Sequence, residues 1–215
     1  MSLKIQIAAA GKPAWSNGTL VIIRRGKTSL GGNDLLNDIP DFAPTQKQFE
    51  SNPGTELSGF VSGDKAPRSV LLLATAQVKY QTDAESLRIL ASRAIGFARR
   101  TKATAVTIAL EEATEEDISM IMQGAFTASY SFTKYKSGDE KKPPLSVTLL
   151  VDSGAVKSTQ ALLKREQVIA AGVDLARDFV NEIPAELYPE TLAKQAASAA
   201  KAAGLEVTIY DEKRL

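Results

Sequence analysis

The chain's 215 residues are 44% hydrophobic and 24% charged, enough to bury a core and consistent with one domain plus part of a second. Its 26 basic and 25 acidic side chains leave a net charge of +1, so no global field marks a nucleic-acid or anionic-membrane binder, and association with DNA should be weak and salt-sensitive. Cysteine and histidine are both absent, which excludes disulfides, thiolate metal sites, a cysteine nucleophile and a Ser-His-Asp triad built from this chain.

The start, Met1-Ser2-Leu3-Lys4, carries no long apolar stretch with a small-residue cleavage site, and no apolar run approaches the length of a membrane span. That points to a cytoplasmic protein. Alternation predicts a strand over Leu3 to Ile7, and a short apolar run predicts a buried strand over Leu20 to Ile23. Glycine and proline break any period between 24 and 56, which reads as loops with two short helices. Ser69 to Ala74 is a Leu-rich run suited to a central strand covered on both faces.

Thr82 followed by Glu85 predicts a capped helix start, and Leu87, Leu90, Ala91, Ala94 and Ala98 trace its apolar face. Arg88, Arg93, Arg99 and Arg100 fall largely off that stripe and read as a solvated face. A strand is predicted over Ala103 to Leu110. Thr114 with Asp117 repeats the capping pattern before Ile118, Ile121, Met122, Ala125 and Phe126, which read as core. Glu111, Glu112, Glu115, Glu116 and Asp117 are adjacent acids at a strand end and a helix start. Complementing the helix dipole is the reading preferred over metal binding. Lys134, Lys136, Lys141 and Lys142 share a loop with Asp139 and Glu140, and a solvated loop is preferred over a phosphate site. A strand from Leu145 to Val151 follows.

One long helix is predicted from Ala155 to Val180, about 39 Å at 1.5 Å per residue, with Leu162, Ile169, Val173, Ala176 and Val180 on one side. Such a length can carry the chain from one core to another. Pro184 ends it, Pro189 opens a further helix with Leu192, Ala193, Ala196, Ala199 and Ala200 on its apolar face, and Gly204 stops that helix. Leu205 to Tyr210 alternates as a strand without an evident partner. The ending therefore reads as a second unit begun and cut at Leu215, with apolar surface and strand edges uncovered.

Asp174-Leu175-Ala176-Arg177-Asp178, Val180-Asn181-Glu182, Pro184, Pro189, Leu192-Ala193, Gly204-Leu205 and Asp211-Glu212 resemble, in order and spacing, the domain junction of the leucyl aminopeptidase family, the M17 cytosol aminopeptidases. Gly124, Tyr130, Phe132, Tyr135 and Lys136 resemble a second family segment. Ile183 and Tyr188 depart from the pattern; Tyr188 has no oxygen near enough to cap the helix it precedes, so a looser turn is expected there.

The resemblance implies an α/β fold, a layered mixed sheet flanked by helices like the macrodomain-like N-terminal domain of that family. It divides the chain into an N-terminal domain (1–154), a linker helix (155–183) and a truncated start of the catalytic domain (184–215). It also implies a hexameric peptidase acting on peptides, whose two divalent metals, Mn or Zn, lie in a catalytic domain beyond this sequence. No catalytic, cofactor-binding or metal-ligating residue is assigned here, since no His-x-x-x-His, Walker loop or paired carboxylate pattern occurs. The alternatives are a nucleotide or ADP-ribose module using residues 26–37, where Gly31-Gly32 precede Asn33-Asp34, and a DNA-binding accessory domain.

Overall fold

The computed structural model describes residues 3–10, 18–24, 56–61, 69–74, 83–110, 113–137 and 144–212. Among them six segments build one sheet: β1 (Leu3–Ala9), β2 (Thr19–Arg24), β3 (Glu56–Phe60), β4 (Ser69–Ala74), β5 (Ala105–Leu110) and β6 (Leu145–Val151). Their order is β1-β6-β5-β2-β4-β3, and every neighbouring pair is parallel except the edge pair β3 and β4. The helices are α1 (Asp83–Arg100), α2 (Glu115–Ser129), α3 (Val156–Asn181) and α4 (Pro189–Ala202). The mixed α/β fold expected from the sequence is the one found. By packing, the chain divides into Met1–Ala170 and Ala171–Leu215, and the division falls inside α3.

Burial explains the strand sequences. All six residues of β2 and of β4 are buried, as continuous apolar runs require when both faces are covered. Val21, Ile23, Leu71 and Leu73 share one core with the apolar faces of α1 and α2; Leu20, Ile22, Val70, Leu72 and Ala74 form a second core, against which Leu57 and Val61 pack. The edge strand β1 alternates instead, burying Leu3 and Ile5 and exposing Lys4 and Gln6. At the start of β2 and β4 the buried hydroxyls of Thr19 and Ser69 meet at 2.9 Å, so neither is left without a partner in the core.

The expected strand at Ala103 begins two residues later, at Ala105. The cause is the way α1 ends. Ala103 N–H donates to the Ala98 carbonyl at 2.9 Å and Lys102 N–H to that of Arg99 at 3.2 Å, with Lys102 in the left-handed region at φ 55°. This is the 6→1, 5→2 closure of a Schellman motif, which draws both residues into the helix end. Gly204 (φ 78°) closes α4 in the same way, with Leu205 N–H donating to the Ala200 carbonyl at 3.0 Å.

At the start of α2 the predicted cap is present. Asp117 N–H donates to Thr114 Oγ1 at 3.2 Å, and Thr114 N–H donates to the Asp117 carboxyl at 2.7 Å. The Thr82 cap lies outside the described residues. Tyr188 occupies the capping position of α4 without a side-chain bond to its backbone, as expected, yet the turn is not loose. Thr191 Oγ1 accepts from Tyr188 N–H at 2.9 Å and itself lies 2.9 Å from the Glu186 and Tyr188 carbonyls.

One expectation is corrected, and the expected long helix is found with its apolar side covered only in part. Leu205 to Tyr210 forms no strand, because a strand is defined by its ladder and none of the described strands pairs with it. The apolar side of α3 is only partly covered: its buried residues are Thr159, Leu162, Glu166 and Ala170, whereas Ile169, Val173 and Val180 are exposed, Val180 to 84%. Leu162 and Val180 lie roughly five turns apart and so share a face. The stripe is continuous in sequence, but burial along it ends at Ala170.

α1 and α2 approach closely at Gly124, where an added Cβ would lie 2.2 Å from the Arg88 carbonyl oxygen. Gly124→Ala must therefore push two backbones apart. It is expected to destabilise the chain by about 3 kcal/mol or more, read as a shift of the urea midpoint. Lys102→Gly should do the opposite, raising stability by up to about 1 kcal/mol by removing the left-handed strain of a side-chain-bearing residue; an unchanged or lowered melting temperature would contradict it.

Candidate functional site

A buried carboxylate anchors a hydrogen-bonded relay across three helices. Glu166 of α3 is 1% exposed. Its carboxyl oxygens accept from Ser119 Oγ at 2.7 Å and from Gln123 Nε2 at 3.0 Å, both on α2. The Gln123 amide oxygen in turn accepts from Arg88 Nε at 2.9 Å, and Arg88 Nη1 reaches Glu85 at 2.7 Å on the half-exposed face of α1. Every group named here is engaged by another, so the relay joins helices and presents no free nucleophile.

Sequence reasoning missed Ser119, Gln123 and Glu166. A signal was present: Glu166 stands four residues after Leu162 and four before Ala170, so a carboxyl interrupts the buried stripe. The arginines are corrected in part. Arg93 and Arg100 are exposed, but Arg88 is committed to the relay, and Arg99 directs Nη2 to the Ser129 carbonyl at 3.4 Å with its Nε and Nη1 buried. A cation beside the last carbonyls of α2 complements that helix end.

Of the acidic cluster, Asp117 is buried as the partner of Thr114, while Glu115 and Glu116 are exposed in the first turn of α2; Glu111 and Glu112 lie outside the described residues. Among the described residues no three acids gather in a way that could hold a metal ion. Lys134 stacks over the Tyr135 ring at 5.2 Å, and Phe132 tilts against that ring at 5.9 Å. Lys141, Lys142, Asp139, Glu140 and the glycine segment 26–37 fall outside the described residues. No described helix is long and apolar enough to cross a membrane.

The second unit, Ala171–Leu215, is distinguished by its surface. Val173, Leu175, Val180, Ile183, Leu192 and Leu205 are large apolar side chains left exposed, and of α4 only Ala197 is buried. Burial raises the Asp174 carboxyl above its ordinary 3.8; Arg177 opposes the rise and Asp178 adds to it.

These features sit on a chain with extensive kinship. No family model matches it. A probable cytosol aminopeptidase of Streptomyces griseus is 36% identical over 149 residues, covering 62% of this chain and 28% of the relative. One from Clostridium perfringens is 25% identical over 198 residues, 88% of this chain and 39% of the relative. The solved structure of a tomato leucine aminopeptidase mutant matches with a TM-score of 0.73 at 17% identity, over 99% of this chain and 45% of that one. The chain is a relative of the cytosol aminopeptidases.

It spans well under half the length of the curated cytosol aminopeptidases it matches. The leucyl aminopeptidase fold accounts for the mixed sheet and its helices. A second solved structure, the bottromycin maturation enzyme BotP in complex with Mn, matches at a TM-score of 0.64 and 18% identity, over 91% of this chain and 39% of that one.

Asp174→Asn provides a check on the electrostatics of α3. An acid whose folded value is raised binds its proton more tightly in the folded state, so stability is full below about 3.8 and falls as pH rises through the raised folded value. Asp174→Asn is expected to raise the melting temperature at neutral pH and to leave it unchanged at about pH 3.

Proposed function

We propose that the chain is the N-terminal portion of a leucyl-aminopeptidase-like metallo-exopeptidase, serving assembly and access to the active site while the chemistry resides elsewhere in a longer protein. The observation that carries this reading is the mismatch of coverage: similarity runs over 88% of this chain yet over only 39% of the Clostridium perfringens relative. In this reading residues 1–154 are the N-terminal domain, 155–183 the linker helix and 184–215 the start of the catalytic domain. The exposed apolar side chains of the second unit are the surface that the remaining sequence would cover.

Two divalent metals, Mn or Zn, would be held by acidic and lysine side chains of that remaining sequence; when bound they activate a water for attack on the N-terminal peptide bond. The described residues offer no matching cluster of ligands, so no step is assigned to them. The related BotP, solved in complex with Mn, supports the choice of metal. Peptides as substrates, a cytoplasmic location and a hexamer in which these domains help pack the assembly complete the reading.

The test compares two purified proteins, the 215-residue chain and the longest product of its gene, on a leucyl-amide substrate with added Mn²⁺ or Zn²⁺. Turnover is expected from a product roughly twice this length and none from the 215-residue chain. Metal-dependent turnover by the short chain would overturn the proposal.

A further inference from the structure

We propose that Glu166 acts as a key that fixes the register and rotation of α3 against α1 and α2. Only four residues of this 26-residue helix are buried, and Leu162 is the one large apolar side chain among them; the others are Thr159, Glu166 and Ala170. Val156 and Leu163 also pack against the core, only partly buried, and apolar burial is non-directional, so these contacts alone do not fix the rotation of the helix. Hydrogen bonds of defined geometry do.

Glu166 is the acceptor that Ser119 Oγ and Gln123 Nε2 require, at 2.7 and 3.0 Å, and Gln123 cannot turn its amide over without losing Arg88 Nε at 2.9 Å. A shift of α3 by one residue would present Arg165 or Gln167 to these groups. A shift by three or four would present Leu162, Leu163, Ile169 or Ala170, none of which has a side-chain acceptor. Of these alternatives only Gln167 carries a side-chain acceptor, a neutral amide oxygen in place of two carboxylate oxygens; the others leave buried donors without partners. A buried polar group that selects one packing arrangement without being the most stabilising choice has precedent in helical assemblies.

The inference is independent of the aminopeptidase reading, because it is tested on this chain without an activity measurement. The chain has no native cysteine, so Glu116→Cys on α2 and Lys164→Cys on α3, both at exposed positions, accept spin labels cleanly. Pulsed electron resonance should give a single narrow distance distribution with Glu166 present. With E166L added and the fold intact by circular dichroism, the distribution should split or at least double in width. A single unchanged peak would show that the carboxyl is merely tolerated.

Where E166L does not fold, E166M decides. Its side chain of similar length carries no oxygen to accept from Ser119 Oγ or Gln123 Nε2, so at least a tenfold loss of hydrogen-exchange protection is expected, confined to residues 156–170. Unchanged protection, or equal loss across α1 and α2, would overturn the key.

Discussion

The helical layer depends on the space that Gly124 leaves open. The carbonyl of Arg88 sits where a side chain on residue 124 would be, and this backbone approach lets the Arg88 guanidinium reach Gln123, the adjacent residue. Gln123 then engages Glu166 on α3. Ser92 reinforces the same approach, its hydroxyl lying 3.0 Å from both the Arg88 and Gly124 carbonyls. A missing methyl group on α2 is thus a precondition for the position of a helix 40 residues further along the chain, roughly one crossover unit later.

α3 is where two kinds of surface meet. As far as Ala170 it contributes Leu162 and Ala170 to the core shared with α1 and α2. Beyond Ala170 the same stripe carries Val173 and Val180 in the open. Each exposed apolar group of this size gives up roughly 1.5–3 kcal/mol that burial would supply. The second unit is accordingly poor in contacts that would stabilise it alone, and its regular structure rests on local devices: the Thr191 hydroxyl at the start of α4 and the left-handed Gly204 at its end. These devices define helix ends. They do not supply a core.

Much of this was legible in the sequence, for reasons that differ by element. β2 and β4 were readable because six consecutive buried positions leave no room for polar alternation, and α2 because Thr114 and Asp117 satisfy each other within four residues. Gly204 was readable because few other residues adopt its conformation cheaply. Lys102, in a similar conformation, was not: lysine carries no local signal for it, so the start of β5 was placed two residues early. Glu166 was missed because burial of a carboxyl is decided by Ser119 and Gln123, 47 and 43 positions away, which local periodicity does not see. The strand read at Leu205 failed for a related reason. Alternation gives a segment the capacity to pair, but pairing needs a second segment.

The sheet's connectivity has a consequence for how the protein is made. Gln6 on β1 donates to Thr148 on β6 across 142 positions of sequence, at 2.8 Å. The N-terminal strand therefore leaves the ribosome long before the strand it lies against. At about 5–20 residues per second, synthesis holds β1 without its neighbour for something on the order of ten seconds. Its Lys4 and Gln6, which alternate with Leu3 and Ile5, help keep that waiting segment from adhering to other nascent chains.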